Sequence, residues 1–341
     1  MNRTLRRTVL AVAVAAVLAS ITACSGDAND PDDPDDPAAG LTAQPTAPPV
    51  PVATVQPTVT PEPVPTPGLC DAGTLIAIWA HYDDDLIFGH TRVTEALEAG
   101  WCVTIAYLSA GDAGRGIEYS RGREQGIRNA YDTLRGLDGQ WTTTTDILDT
   151  GVTVEEWAPV SDPRLLLLSF RLVDGNIDGS GFESMGFESL AKLAAGTIPT
   201  IRDVDGPEHL TQDDITLSLV EVITDAAPQA IFTGMPREAV DLARGDHADH
   251  SATASFARAA WRSMAIDPAT VTFAIGYQTA QYPANVPDDV LASKVAAFSA
   301  YSLQDPLTAD CRDMDSCLNL GLFGVWLQRE YSKNATELDL D

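Results

Sequence analysis

The sequence predicts an α/β fold, a Rossmann-like, mostly parallel sheet flanked by helices in a single domain. Three observations predict it. Strand-length apolar runs alternate with helical stretches from about residue 70 onward. The first run, Thr74-Leu75-Ile76-Ala77-Ile78-Trp79-Ala80, is continuously apolar, as in a strand covered on both faces. It ends directly on His81-Tyr82-Asp83-Asp84-Asp85, and the carboxyl ends of parallel strands are where such folds bind ligands.

Taken in order, Arg3, Arg6 and Arg7 form a basic start and Val9 to Leu18 a short apolar run, the pattern of an export signal. Its end, Ile21-Thr22-Ala23-Cys24, resembles the lipobox of bacterial lipoproteins, in which the Cys carries the lipid. We therefore expect a signal peptide over 1–23 and lipidation at Cys24. Residues 24–68, rich in Pro, Thr and Asp, read as an extended, disordered tether. Residues 69–341 read as the folded domain, with a helix over about 91–99, a strand over 102–108 and hence a βαβ unit. A Gly-rich loop, 109–118, leads into a helix over 120–134; its glycines lack the order of a dinucleotide fingerprint. After a less regular middle come strands near 164–170, 229–233 and 271–275, and helices near 211–224, 251–264 and 288–301.

The net charge of −28 excludes nucleic acid as a partner, since phosphate binding needs clustered Lys and Arg. No later stretch is apolar enough to span a bilayer, so lipid at Cys24 is the only membrane anchor expected, on an extracytoplasmic, membrane-anchored protein. The oligomeric state is not legible. In an oxidising compartment Cys70, Cys102, Cys311 and Cys317 are disulfide candidates. We favour Cys70 with Cys102, ahead of neighbouring strands, and Cys311 with Cys317, around a short loop; three connectivities stay open.

Three of the five histidines lie in two acidic clusters, His81 to Asp85 and Asp246-His247-Ala248-Asp249-His250. Several carboxylates at a buried strand end are costly without a cation. Two imidazoles and one carboxylate from separate segments make a set suited to Zn²⁺ with an open position for water. If Asp84 turns toward the metal, Asp83 points elsewhere and is available as a base. His247, when protonated, would stabilise an oxyanion, with Asp249 holding its charge. Asp112 is a candidate contact to a substrate hydroxyl, or equally an Asx-turn closing its loop.

The segment Ala80-His81-Tyr82-Asp83-Asp84-Asp85 resembles the AHPDD signature of PIG-L / LmbE-like de-N-acetylases. His247-Ala248-Asp249-His250 resembles their HPDH motif, and Tyr119-Ser120-Arg121-Gly122-Arg123-Glu124 resembles their YRxxE segment. The resemblance implies His81, Asp84 and His250 as metal ligands, Asp83 as general base and His247 as the oxyanion-polarising acid. It implies Arg121 as a substrate contact, with Arg123 second; an ion pair with Glu118 or Glu124 is the plainer reading of either. Tyr82 and Ala248 stand where the family has Pro, Asp85 where it usually has Glu, and Gly245 where some relatives carry a Tyr.

The implied activity is hydrolysis of an N-acetyl group from a GlcNAc-type sugar or glycan outside the cytoplasm, with zinc, or Fe²⁺ or another divalent ion, as cofactor. The alternatives are a non-catalytic glycan-binding lipoprotein and a metal-dependent hydrolase of another ester or phosphoester. The Gly-rich, acidic segment Val173 to Asp205, with Asp174 and Asp178, reads as a substrate-facing loop or a small calcium-like site.

Overall fold

Alternate residues of the first apolar run enter two different cores, as a strand covered on both faces requires. Ile76 and Ile78 pack with Leu168, Leu219 and Phe273 on one face, while Leu75 and Ala77 pack with Ile105, Phe298 and Tyr301 on the other. The computed structural model describes residues 68–340. The expected signal peptide, the lipidation at Cys24 and all but the last residue of the expected tether lie outside them.

The chain runs β1 (Thr74–Trp79), α1 (Asp84–Phe88), α2 (His90–Glu98), β2 (Cys102–Ser109) and α3 (Ile117–Arg135). It continues through β3 (Trp141–Ile147), β4 (Thr153–Pro159), β5 (Leu165–Leu172), α4 (Leu190–Ala194), β6 (Ile201–Arg202), β7 (His209–Leu210) and α5 (Gln212–Ala226). The last part is β8 (Ala230–Gly234), α6 (Val240–Ala243), α7 (Ala248–Ser263), β9 (Val271–Ala274), α8 (Asp288–Ser302), α9 (Met314–Leu318), α10 (Gly321–Leu327) and β10 (Ser332–Asn334).

The main sheet has the order β10-β9-β8-β1-β2-β5-β4-β3. Its centre, β9-β8-β1-β2-β5, is parallel, and both flanks are antiparallel. The expected mostly parallel α/β sheet is therefore present. From β1 the chain winds outward to β2 on one side and later returns to β8 on the other, so a topological switch point falls between β1 and β8.

The hairpin β3–β4 is absent from the sequence-based expectation. Its edge strand, Trp141-Thr142-Thr143-Thr144-Thr145, is polar and half exposed, so it lacks the apolar run by which the central strands are read; its β-branched Thr residues are the signal that was available. Helix α7 starts three residues earlier than expected because the His247 side chain accepts the Asp249 amide and caps it. Disulfides join Cys70 to Cys102 and Cys311 to Cys317. No helix among the described residues is long and apolar enough to cross a membrane.

On α8, fully buried Lys294 is paired with Glu330 at 2.7 Å. Burial and then the charge of Lys294 push the neighbouring His90 imidazole down to about 3. A group depressed on folding withholds a proton that the unfolded chain accepts below its ordinary value of about 6.5, so stability is full above that pH and falls as pH drops toward 3. The expected outcome is a loss of about 2 kcal/mol from His90 between pH 7 and pH 5. Urea titrations should show this part of the decline missing in His90→Gln; an equal decline in both proteins would refute it.

Candidate active site

Two loops meet at the switch point. The first leaves β1 through Ala80 and enters α1, where Asp83 stands at the N-cap position without capping, its side chain directed elsewhere. The second leads from α6 into α7, whose first turn presents His247, Asp249 and His250. All of these side chains are buried.

His81, Asp84 and His250 converge on one point. His81 Nδ1 lies 3.2 Å from His250 Nε2, His250 Nε2 lies 3.0 Å from Asp84 Oδ1, and His81 Nδ1 lies 3.5 Å from Asp84 Oδ2. Donors bound about 2.0–2.2 Å from a tetrahedral zinc ion stand roughly 3.3 Å apart, so the spacing fits. The backbone amides of Ala80 and His81 occupy Asp84 Oδ2 and leave Oδ1 facing His250. Outside this set, His250 Nδ1 is held by Asp246 at 2.9 Å, while His81 Nε2 faces Asp249 at 3.6 Å and Asp174 at 3.9 Å. A carboxylate behind each ligating imidazole is the usual support of a metal site.

The electrostatics point the same way. Burial disfavours charge on His81, but Asp84, Asp249 and Asp174 outweigh it and push the imidazole up to about 10. Burial likewise opposes a charged His250, and Asp84 and Asp246 raise it well above its ordinary value. Against burial, His250 and His81 hold the Asp84 carboxyl well below the usual range. The pocket carries a carboxylate surplus that draws positive charge, the condition a divalent cation satisfies. Further His and Asp donors lie together around His81, with His247, Asp174 and Asp249 on its Nε2 side. Those carboxylates stand 3.6 Å or more from Nε2, looser than the Asp84 set.

Asp83 points away from that set. Arg123 Nη2 donates to its Oδ1 at 2.7 Å, while Nη1 donates to the Gly111 carbonyl and Nε to the Tyr301 hydroxyl, with Asp305 at 3.1 Å. Gly111 has φ +55°, and a Cβ there would stand 2.1 Å from the Arg123 guanidinium, so this approach requires glycine. Burial pushes the Asp83 carboxyl up, and Arg123 opposes that.

Several sequence expectations are corrected. Arg121 is exposed and paired with Glu118 at 2.7 Å, outside the buried cluster. Arg123 does enter the site, as the partner of Asp83. Asp112 is fully buried, its oxygens accepting the amides of Asp174 and Gly116, so it closes its loop and positions Asp174 instead of facing a substrate. Burial and then His81 and His250 depress His247 well below its ordinary value, and its Nδ1 accepts the Asp249 amide. His247 is thus a neutral ring whose proton sits on Nε2. Asp249 stands 4.0 Å from His247 and closer to His81, and it accepts the Gly175 amide. Asp174 turns toward the histidines, whereas Asp178 is exposed and caps a local turn at Ser180, so the two do not form a calcium-like site.

Asp246 and Tyr277 carried no assignment from the sequence. Asp246 accepts the amides of His247 and Tyr277 besides holding His250; its place inside the second acidic cluster was the only local signal. Tyr277 stacks on Trp326 with ring centroids 4.1 Å apart and meets His250 edge-on at 5.2 Å, walling the pocket. Burial and then Asp84 and Asp83 raise its hydroxyl, keeping it a proton-bearing donor.

Fold and site together define an α/β protein with a candidate divalent-cation centre at the carboxyl edge of a parallel sheet. The chain belongs to the PIG-L family, described as GlcNAc-PI de-N-acetylase, which matches residues 76–261. Membership supports a sugar N-deacetylase. Among solved structures, the chain is similar to a teicoplanin-pathway deacetylase triple mutant, at 15% identity over 72% of this chain and 90% of that one, with a TM-score of 0.42. It is similar to the A40926 pseudoaglycone deacetylase, at 16% identity over 73% and 90%, TM-score 0.42. The zinc-inhibited form of teicoplanin deacetylase is 14% identical over 74% and 89%, TM-score 0.42. No curated protein matches the chain.

Asp246→Asn should weaken retention of a divalent ion by about 10–100-fold, the usual effect of removing a carboxylate behind a ligating His. Competition with a chelator measures it; unchanged retention in a folded variant would place the ion elsewhere.

Proposed function

We propose that the chain is a metal-dependent hydrolase that removes N-acetyl groups from N-acetylglucosamine-type sugars or glycans, with His81, Asp84 and His250 holding a divalent ion, zinc by donor type. The observation that carries this reading is the convergence of those three donors at 3.0–3.5 Å beside a separate carboxylate, Asp83, fixed by Arg123. A divalent cation at such a site supplies Lewis acidity and a water that ionises near neutral pH.

The rest of the chemistry belongs to this chain. With Oδ1 committed to Arg123, Asp83 offers Oδ2 as acceptor for a proton from the attacking water. His247, neutral and with Nδ1 engaged by the Asp249 amide, offers its Nε2 proton to the amide carbonyl oxygen as negative charge develops there. Tyr277 forms the wall beside His250 and adds a second protonated donor. A module that only binds glycans has no use for a base held by a buried arginine, which favours catalysis over the glycan-binding alternative. One carbonyl-directed cluster with a single base suits amide attack better than phosphoester cleavage, which commonly uses two metals.

We further propose that the protein is exported and lipid-anchored at Cys24, so that its substrates are extracytoplasmic. The basic start, the apolar run and the lipobox-like Ile21-Thr22-Ala23-Cys24 support this.

Release of acetate from N-acetylated amino sugars should require added divalent ion and stop on its removal. Asp83→Ala should lower kcat by about 10²–10⁴-fold with the fold and metal content intact. Full turnover by this variant would overturn the mechanism. Arg123→Ala should lose most turnover through Asp83, whereas Arg121→Ala should stay within about twofold, as for an exposed ion pair; the reverse pattern would restore Arg121 as the substrate contact.

A further inference from the structure

Beyond residue 261, where the family match ends, the chain comes back to Arg123. Helix α8 closes at Ser302, and Asp305 in the turn after it is only 2% exposed, although it belongs to neither His/Asp loop. The approach depends on glycine in α3. A Cβ at Gly122 would stand 3.0 Å from the Gln304 carbonyl oxygen, and one at Gly126 2.8 Å from that of Tyr301. With the backbones this close, Tyr301 and Asp305 meet Arg123, and Asp305 also meets Tyr119, one turn earlier on the same face of α3.

Four donors surround the Asp305 carboxylate. Oδ1 accepts the Tyr119 hydroxyl at 2.7 Å and the Leu307 amide at 2.9 Å, while Oδ2 accepts the Tyr301 hydroxyl at 3.0 Å and faces Arg123 Nε at 3.1 Å. Burial disfavours its charge, but Arg123, that amide and the two hydroxyls hold the carboxyl below its ordinary value. The turn is itself fixed. The Asp305 carbonyl accepts the Thr308 amide, the Thr308 carbonyl accepts the Cys311 amide, and Cys311 is joined to Cys317. Arg123 therefore stands between two carboxylates, with its Nε edge toward Asp305 and Nη2 toward Asp83.

We propose that Asp305 is a positioning residue for the deacetylation, acting through Arg123 to fix the guanidinium so that Nη2 holds Asp83 with its second oxygen toward the attacking water. This rests on the activity and the base assigned above. A long arginine side chain is immobilised when its planar fork is bonded along more than one edge, and Asp305 with Tyr301 supplies the edge that Asp83 does not reach. Misplacing a reacting group by about 1 Å costs on the order of 100-fold in rate, so loosening this grip acts on turnover and not on substrate binding. The stretch after the family-matched region thereby completes the site.

The test is Asp305→Asn in the full chain loaded with divalent ion. The carboxamide keeps the shape of the side chain and removes its charge. For acetate release kcat should fall about tenfold, with KM and metal content unchanged within about twofold. In an Arg123→Ala background the same change should cost less than about twofold, because its effect runs through the guanidinium. Undiminished kcat would overturn the proposal, and so would an equal loss in both backgrounds, which marks a merely structural role. A second readout is independent of turnover: a crystal structure of Asp305→Asn should place Arg123 Nη2 beyond about 3.5 Å from Asp83. A bond kept at 2.7 Å would refute the positioning role. Wild-type protein that releases no acetate contradicts the assigned activity, and the crystal structure still decides the part played by Asp305. Should Asp305→Asn not fold, Tyr119→Phe removes one hydroxyl from the same carboxylate at a half-buried position. Its kcat should fall about threefold, as for one lost hydrogen bond, and unchanged turnover would count against Asp305.

Discussion

Seven aspartates, Asp83, Asp84, Asp85, Asp112, Asp174, Asp246 and Asp249, are buried in the loops and first helical turns that crown the sheet. An unpaired buried carboxylate costs several kcal/mol, so the local architecture is organised around giving each one a partner. Asp85 takes the hydroxyls of Tyr107 and Tyr131 on the core side. Asp246 and Asp249 take backbone amides, Asp83 takes Arg123, and Asp84 takes two amides on one oxygen. The other Asp84 oxygen, Oδ1, faces His250 beside His81, and Asp246 Oδ2, Asp249 Oδ1 and His81 Nε2 are buried without a hydrogen-bond partner among the described residues.

The sheet order makes this accumulation possible. Parallel strands discharge their loops at one edge, and at the switch point the chains leaving β1 and β8 diverge and open a crevice. The loop after β2 is then drawn over the crevice by Asp112, which grips the amide of Asp174 and so fixes the loop after β5 as well. Arg123 closes the third side from α3, bonded at once to Asp83, Gly111 and Tyr301. A single guanidinium thus couples Asp83 to two other elements, whereas the neighbouring Arg121 is exposed and paired with Glu118.

How far the site could be read in advance follows from where its parts lie in the chain. His81, Asp83, Asp84, His247 and His250 come from two short segments at element boundaries, where an apolar run stops abruptly at charge. Arg121 and Arg123 sit two positions apart on one helix, and composition does not say which faces inward; the packing of α3 against α8 decides it. Asp112 has the same residue type in either of its readings, and only the arrival of Asp174 from a distant loop selects one. Tyr277 is far in sequence from both clusters and reaches them only because β9 lies beside β8.

The sequence by itself determined the α/β class and the two His/Asp clusters at element boundaries, because these follow from short-range patterns of burial and charge. Tertiary structure decided the rest: that His247 is neutral, that Asp249 leans toward His81, that Asp246 steadies His250, and that Arg123 holds Asp83. Those roles depend on desolvation and on distances of a few ångströms between residues far apart in the chain, quantities that exist only once the sheet has assembled.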